Sequence, residues 1–126
     1  MIELDSIGKT GNRTKASYRL TEKGRNEFLK LLKEGLSKNS VVYPTTLYTA
    51  LSFLDELPKQ AASEALALQK LDLTNELESM KAGRNDKSKH YQIPEHITAI
   101  FDNIYAQIEL QIEFITKLQK LIEDRP

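Results

Sequence analysis

Four polar side chains near the N-terminus have the types and spacing to contact a nucleic acid. Lys9, Asn12, Arg13 and Lys15 surround a glycine-containing turn. Long cations on an extended turn reach phosphates, and asparagine donates hydrogen bonds to backbone or base edges. The first 25 residues carry six bases and three acids, whereas the rest of the chain carries twelve bases and fifteen acids. The sequence therefore indicates a polyanion contact near the N-terminus, with an ordinary solvated turn as the alternative.

A second basic cluster lies in residues 81–90, where four bases accompany one acid, Asp86. The segment is mostly polar, and Gly83 stands where a glycine commonly caps a helix C-terminus. Charge runs of this kind are usually solvated surface. We therefore expect residues 84–92 to form a loop without a ligand.

No set of residues in the chain predicts an enzyme. Cysteine is absent, and the two histidines, His90 and His96, lack a partner at metal-ligand spacing. The acidic pairs at 55–56 and 123–124 have the character of solubilising charges near helix ends. Nucleophile, phosphate-binding and dinucleotide-binding motifs are missing from the sequence. We expect no catalytic residue, no metal and no cofactor.

Composition favours a folded protein of the cytoplasm. The 126 residues have a net charge of zero and are 40% hydrophobic. Mean hydropathy is −0.47, and no 18-residue apolar run predicts a membrane-spanning helix. The N-terminal residues do not resemble a signal peptide, and the lack of cysteine fits a reducing compartment. We expect a cytoplasmic protein with no membrane partner.

The elements that would position these side chains are a short β-hairpin and about four helices, the last one long. Apolar residues alternate with polar ones over 2–5 and 16–20, which predicts two strands. Apolar periodicity of the helical kind follows over 22–36, from Pro44 to about 57, and from Pro58 to about 81. The fold class is therefore mostly α with an N-terminal hairpin, which must dock on something because two strands alone are marginal.

The last helix runs from Pro94 to about residue 123 and carries an apolar heptad seam. Further apolar residues widen its face, and three shorter helices would cover only part of it. The pattern predicts a homodimer, with a compact monomeric bundle as the alternative. The predicted dimer-interface residues are Ile97, Phe101, Ile104, Ile108, Ile115, Leu118 and Ile122.

The junction Tyr18-Arg19-Leu20-Thr21-Glu22-Lys23-Gly24, after the basic turn, resembles the wing of the PadR family of bacterial transcriptional regulators. In that family a basic turn connects two wing strands, and the second strand leads through Tyr-x-Leu-Thr-x-x-Gly into a helix. The helical remainder is similar in layout to the family's C-terminal dimerisation domain. The resemblance implies a wing over residues 1–25 and a helical dimerisation domain over 26–126.

The family also has a DNA-reading helix-turn-helix before the wing, and this sequence begins at the first wing strand. We therefore expect a truncated PadR-type regulator that binds DNA as a dimer and acts as a repressor in its intact form. The present chain would bind DNA only weakly and without sequence preference, through Lys9, Asn12, Arg13 and Lys15. The alternative is a helical protein-interaction module with no DNA-binding role.

Overall fold

The structure is a computed structural model that describes the backbone of residues 2–10 and 13–126 and the side chains of residues 21–126. The chain divides into two compact units, Met1–Tyr43 and Pro44–Pro126. The predicted boundary between residues 25 and 26 falls inside the first helix. The assignment of the two parts to a wing and a dimerisation domain stays a prediction.

In the first unit, backbone strands β1 (Ile2–Thr10) and β2 (Arg13–Leu20) pair antiparallel and precede helix α1 (Glu22–Ser37). Thr21 caps α1, because its hydroxyl accepts a hydrogen bond from the Gly24 amide at 3.0 Å. Such caps satisfy one of the amides that have no partner within the helix. The first unit therefore has a well-defined helix start directly after β2.

The fold class predicted from the sequence, helices joined to a β-hairpin, is wrong for the residues whose side chains are described. Residues 21–126 are 83% helical, with four helices and no strand. The buried core cluster in this part of the chain comes from two helices alone. Its members are Ala62, Leu66, Ile115, Leu118 and Ile122. Within residues 21–126, helices alone therefore build the packed core.

The second unit contains helices α2 (Thr45–Ser52), α3 (Lys59–His90) and α4 (Glu95–Glu123), with a 3-10 turn at Leu54–Glu56. Each helix begins directly after a proline, namely Pro44, Pro58 and Pro94. Proline fits this position because its fixed φ suits a helix start and its missing amide hydrogen is not needed there. The sequence locates all three helix starts for this reason.

Helix α3 is longer than the sequence predicts. It continues to His90, so the loop predicted for 84–92 is wrong, and only the short connection after His90 is non-helical. Gly83 lies within the helix, with no atom near the position of a Cβ. The final helix α4 is long, with 29 residues, as the sequence predicts, but α3 has 32 residues, so the expectation that the three preceding helices are all shorter is wrong. At 1.5 Å per residue the two helices are each about 45 Å long.

Helices α3 and α4 pack antiparallel along their length. Near the start of α3, the Lys59 ammonium donates to the carbonyl oxygen of Glu123 at 2.7 Å, at the end of α4. Near the other end, Arg84 forms an ion pair with Asp102 at 2.8 Å. Side chains of α2 and of the 3-10 turn pack against the core cluster. The second unit is thus a helix pair with a short third helix on one part of it.

Candidate dimerisation and DNA-contact surfaces

The side chains of the four predicted DNA-contact residues lie outside the part of the chain whose side chains are described. Lys9, Arg13 and Lys15 belong to strands of which only the backbone is described, and Asn12 lies outside the described residues. Their contact with DNA therefore stays a prediction that rests on residue type, spacing and the basic charge of the first 25 residues.

The heptad seam of α4 is filled largely by α3 of the same chain. Four of the seven predicted interface residues, Ile108, Ile115, Leu118 and Ile122, are at most 8% exposed within one chain. The other three residues of the seam are half-buried. A heptad seam demands a partner helix, and here α3 supplies it in cis. These four side chains are thus buried without a second copy of the chain. Their place in a dimer interface stays a prediction.

Other apolar side chains of the second unit remain in solvent. The long helices expose five of them, each by more than half: Leu68, Leu71, Ile100, Leu110 and Leu121. Isolated exposed leucines are ordinary on a protein surface. Of these five, Ile100 lies in the first half of α4, whereas Leu110 and Leu121 lie in its second half.

Within the second unit, a third helix covers only one end of the α3–α4 pair. We call this the covered end; there the Tyr48 ring of α2 meets the Phe114 ring edge-on at 6.4 Å between centroids. Helix α2 has eight residues and is about 12 Å long, so it reaches only part of the pair. The rest, residues 77–90 of α3 and 95–108 of α4, is the open end. Two helices alone do not enclose a core, and four apolar side chains there stay half-buried: Leu77, Met80, Ile97 and Ile104.

The open end is held together by charged and aromatic side chains. Arg84 bonds to Asp102, and its guanidinium lies 5.8 Å from the Phe101 ring centroid and 5.7 Å from the Tyr105 ring centroid. Lys81 lies 5.5 Å from the Tyr105 ring centroid and 3.3 Å from Glu109. Cations over aromatic faces attract the ring quadrupole. Two bases of the second basic cluster therefore join α3 to α4 rather than extending freely into solvent.

Hydrogen bonds also stabilise the charged form of Arg84. The hydrogen bond to Asp102, followed by that to Tyr105, raises the pKa of Arg84 above its ordinary value. The Tyr105 hydroxyl donates to the Met80 carbonyl oxygen at 3.4 Å. The guanidinium therefore keeps the charge that its contacts with Asp102 and the two aromatic rings require.

The sequence contains a signal for this cluster that the loop prediction missed. Leu73, Leu77 and Met80 continue to Arg84 at spacings of four, three and four residues, which is one face of a helix. Asp102 and Tyr105 are three residues apart and thus share a face of α4. Reading Gly83 as a helix end interrupted the first pattern.

Two further types of site are missing from the part of the chain that the structure describes. None of its helices combines the length and apolar character needed to cross a bilayer. Histidine, aspartate and glutamate nowhere gather there in a group of three or more that could hold a metal ion.

Comparisons with known proteins give no family. No family model matches the chain, and no curated protein or solved structure shows significant similarity to it. The residues and their arrangement are therefore the basis on which a function can be inferred.

Proposed function

We propose that this chain belongs to a PadR-type transcriptional regulator of the cytoplasm, in which residues 44–126 hold two copies together. Its role is binding rather than catalysis. Dimerisation would place two DNA-contacting parts on one operator, as two-fold symmetric sites require. The N-terminal basic residues would supply contacts to the DNA backbone.

A single observation supports the dimerisation part: at the open end, no third helix of the second unit covers the apolar side chains of the two long helices. Ile100 is 52% exposed there, and the half-buried Ile97 and Ile104 lie on the same helix within one turn of it. A second copy packing its own open end against these residues would remove them from water. A two-fold interface of this kind uses one patch twice, so it needs no second specialised surface.

The mass of the chain in solution tests this part. Ile100→Lys should abolish the dimer, because a lysine at the centre of the interface would bury an unpaired charge. Leu121→Lys is the matched control: Leu121 is 57% exposed on the same helix but belongs to the covered end. We expect sedimentation equilibrium to give a dimer for the original chain and for Leu121→Lys, and a folded monomer for Ile100→Lys.

Charged substitutions at the buried positions of the heptad seam would not test the dimer surface. Ile115 is fully buried and Ile108 is 8% exposed within one chain, so a charge at either position would unfold the chain instead of separating two copies. An unchanged dimer mass for Ile100→Lys, or dissociation by Leu121→Lys as well, would contradict the proposed surface.

The DNA-binding part needs its own experiment. Replacing Lys9, Arg13 and Lys15 by alanine should weaken binding to mixed-sequence duplex DNA and flatten its salt dependence by about three phosphate contacts. The matched control replaces three lysines of the second unit, Lys70, Lys117 and Lys120, and changes the net charge equally. Fluorescence anisotropy at several salt concentrations measures both slopes. Equal slopes for the two variants would favour a protein-interaction module without a DNA role.

A further inference from the structure

The covered end contains an apolar groove that the proposed function does not use. It lies between α2 with its 3-10 turn and the first half of α3, wholly within the second unit, and has a volume of about 140 Å³. Leu51 and Leu54 line one wall, while Ala62 and Leu66 of the core cluster line the other. The groove is open on one side.

Small residues create this space. Three alanines line the groove: Ala50, Ala62 and Ala65. A leucine at any of these positions would occupy volume that now stays empty. Close packing is the norm for protein interiors, where voids larger than a water molecule are few. The groove therefore exists because alanine, rather than a larger residue, occupies these positions of α2 and α3.

The lining sets the chemistry of an occupant. Of the residues around the groove only Gln69 is polar, so the walls offer a water molecule few hydrogen-bond partners. The Gln69 side chain is half-buried and forms no hydrogen bond with another residue whose side chain is described. One amide at the edge of an apolar groove offers a ligand a single polar contact.

We propose that this groove binds a small neutral molecule of about the size of one benzene ring, with Gln69 as the partner of one polar substituent. Its volume is close to that of an apolar cavity of about 150 Å³ that stays dry and takes up benzene. Larger ligands occupy pockets of about 300 Å³ or more, and a charged ligand would meet no opposite charge on the lining. The occupant is thus apolar, uncharged and small.

Titration with benzene, followed by the methyl signals of leucine and alanine in NMR spectra, tests the proposal. We expect saturable shifts for the methyl groups of Leu51, Leu54 and Leu66. Ala65→Leu should weaken binding at least about tenfold, because the new side chain fills the groove. Ala65 is exposed, so the substitution does not strain the core. Ala67→Leu is the matched control, since Ala67 is exposed on α3 and does not line the groove.

Benzyl alcohol tests the contribution of Gln69. It should bind about threefold more tightly than benzene to the original chain, and this advantage should disappear in Gln69→Leu. The absence of saturable shifts with benzene, or equal affinity in Ala65→Leu and the original chain, would overturn the site. Benzene affinity that falls as the protein concentration rises would assign the groove to a second copy and also overturn it. None of these results depends on whether the chain binds DNA.

Discussion

The two ends of the α3–α4 pair are stabilised by different interactions. At the covered end, five aliphatic side chains form the core cluster, and α2 adds a third layer. At the open end, Arg84 and Lys81 bridge to acidic and aromatic residues of α4. The difference shows that one end completes its core within the chain, while the other relies on contacts along its edge. The proposed contact between two copies therefore uses the open end, where the chain does not complete its own core.

The largest effect should come from the covered end. Ile115 is fully buried in the core cluster, so Ile115→Ala removes buried methyl groups and leaves a cavity. We expect a loss of about 3–4 kcal/mol in the free energy of unfolding, measured by urea denaturation at a fixed protein concentration. Leu121→Ala, at an exposed position of the same helix, is the control and should change stability by less than about 0.5 kcal/mol. Similar losses in both variants would contradict the placement of the core.

Tyr105 tests how much burial the open end achieves. It is 8% exposed, and the charged groups of Arg84 and Lys81 lie over its ring. Tyr105→Leu keeps an apolar side chain but removes the ring face and the hydroxyl bond to Met80, so we expect a loss of about 1–2 kcal/mol. Urea denaturation in low and high salt separates the two contributions, because only the charged contacts weaken with salt. A loss as large as that of Ile115→Ala would remove the contrast between the ends.

Gly83 offers a stabilising substitution. It lies inside α3 with free space around the position of a Cβ. Gly83→Ala should raise the free energy of unfolding by about 0.5–1 kcal/mol, since alanine loses less backbone entropy than glycine in a helix. Circular dichroism during urea denaturation measures the gain. A destabilised variant would mean that α3 ends near residue 83, as the sequence pattern suggested.

The ion pair of Arg84 should have the smallest effect. Asp102 is largely exposed, and surface ion pairs contribute little to stability. Asp102→Asn should lower the melting temperature slightly in low salt and leave it unchanged in high salt, as followed by circular dichroism. Lys117→Gln, at an exposed position of α4, serves as the control for a changed surface charge. A loss that persists in high salt would indicate a structural role beyond charge pairing.

The starts of the helices could be predicted because the signals are local. Pro44, Pro58 and Pro94 each restrict the backbone in a way that does not depend on tertiary contacts. The end of α3 could not be predicted in this manner. Gly83 is compatible with a helix end and a helix interior, and the contacts of Arg84 with α4 lie 18 residues away in the sequence. Tertiary contacts of this kind override the weak local preference.

The candidate site shows the same limit. The heptad pattern from Ile97 to Ile122 predicts a partner helix for α4. The pattern does not indicate whether that helix belongs to the same chain or to a second copy. The structure assigns most of that seam to α3. The exposed residues of the open end, such as Ile100, then become the candidates for contact between copies, and a sequence pattern alone does not separate them from the buried ones.

Intermolecular distances test the central claim, that two copies meet at the open end. The chain has no cysteine, so Asn103→Cys and Lys120→Cys each accept a single spin label at an exposed position of α4. Asn103 belongs to the open end and Lys120 to the covered end. Electron–electron double resonance should give an intermolecular distance for both, and a clearly shorter one for Asn103→Cys. No intermolecular coupling, or a shorter distance for Lys120→Cys, would contradict the claim.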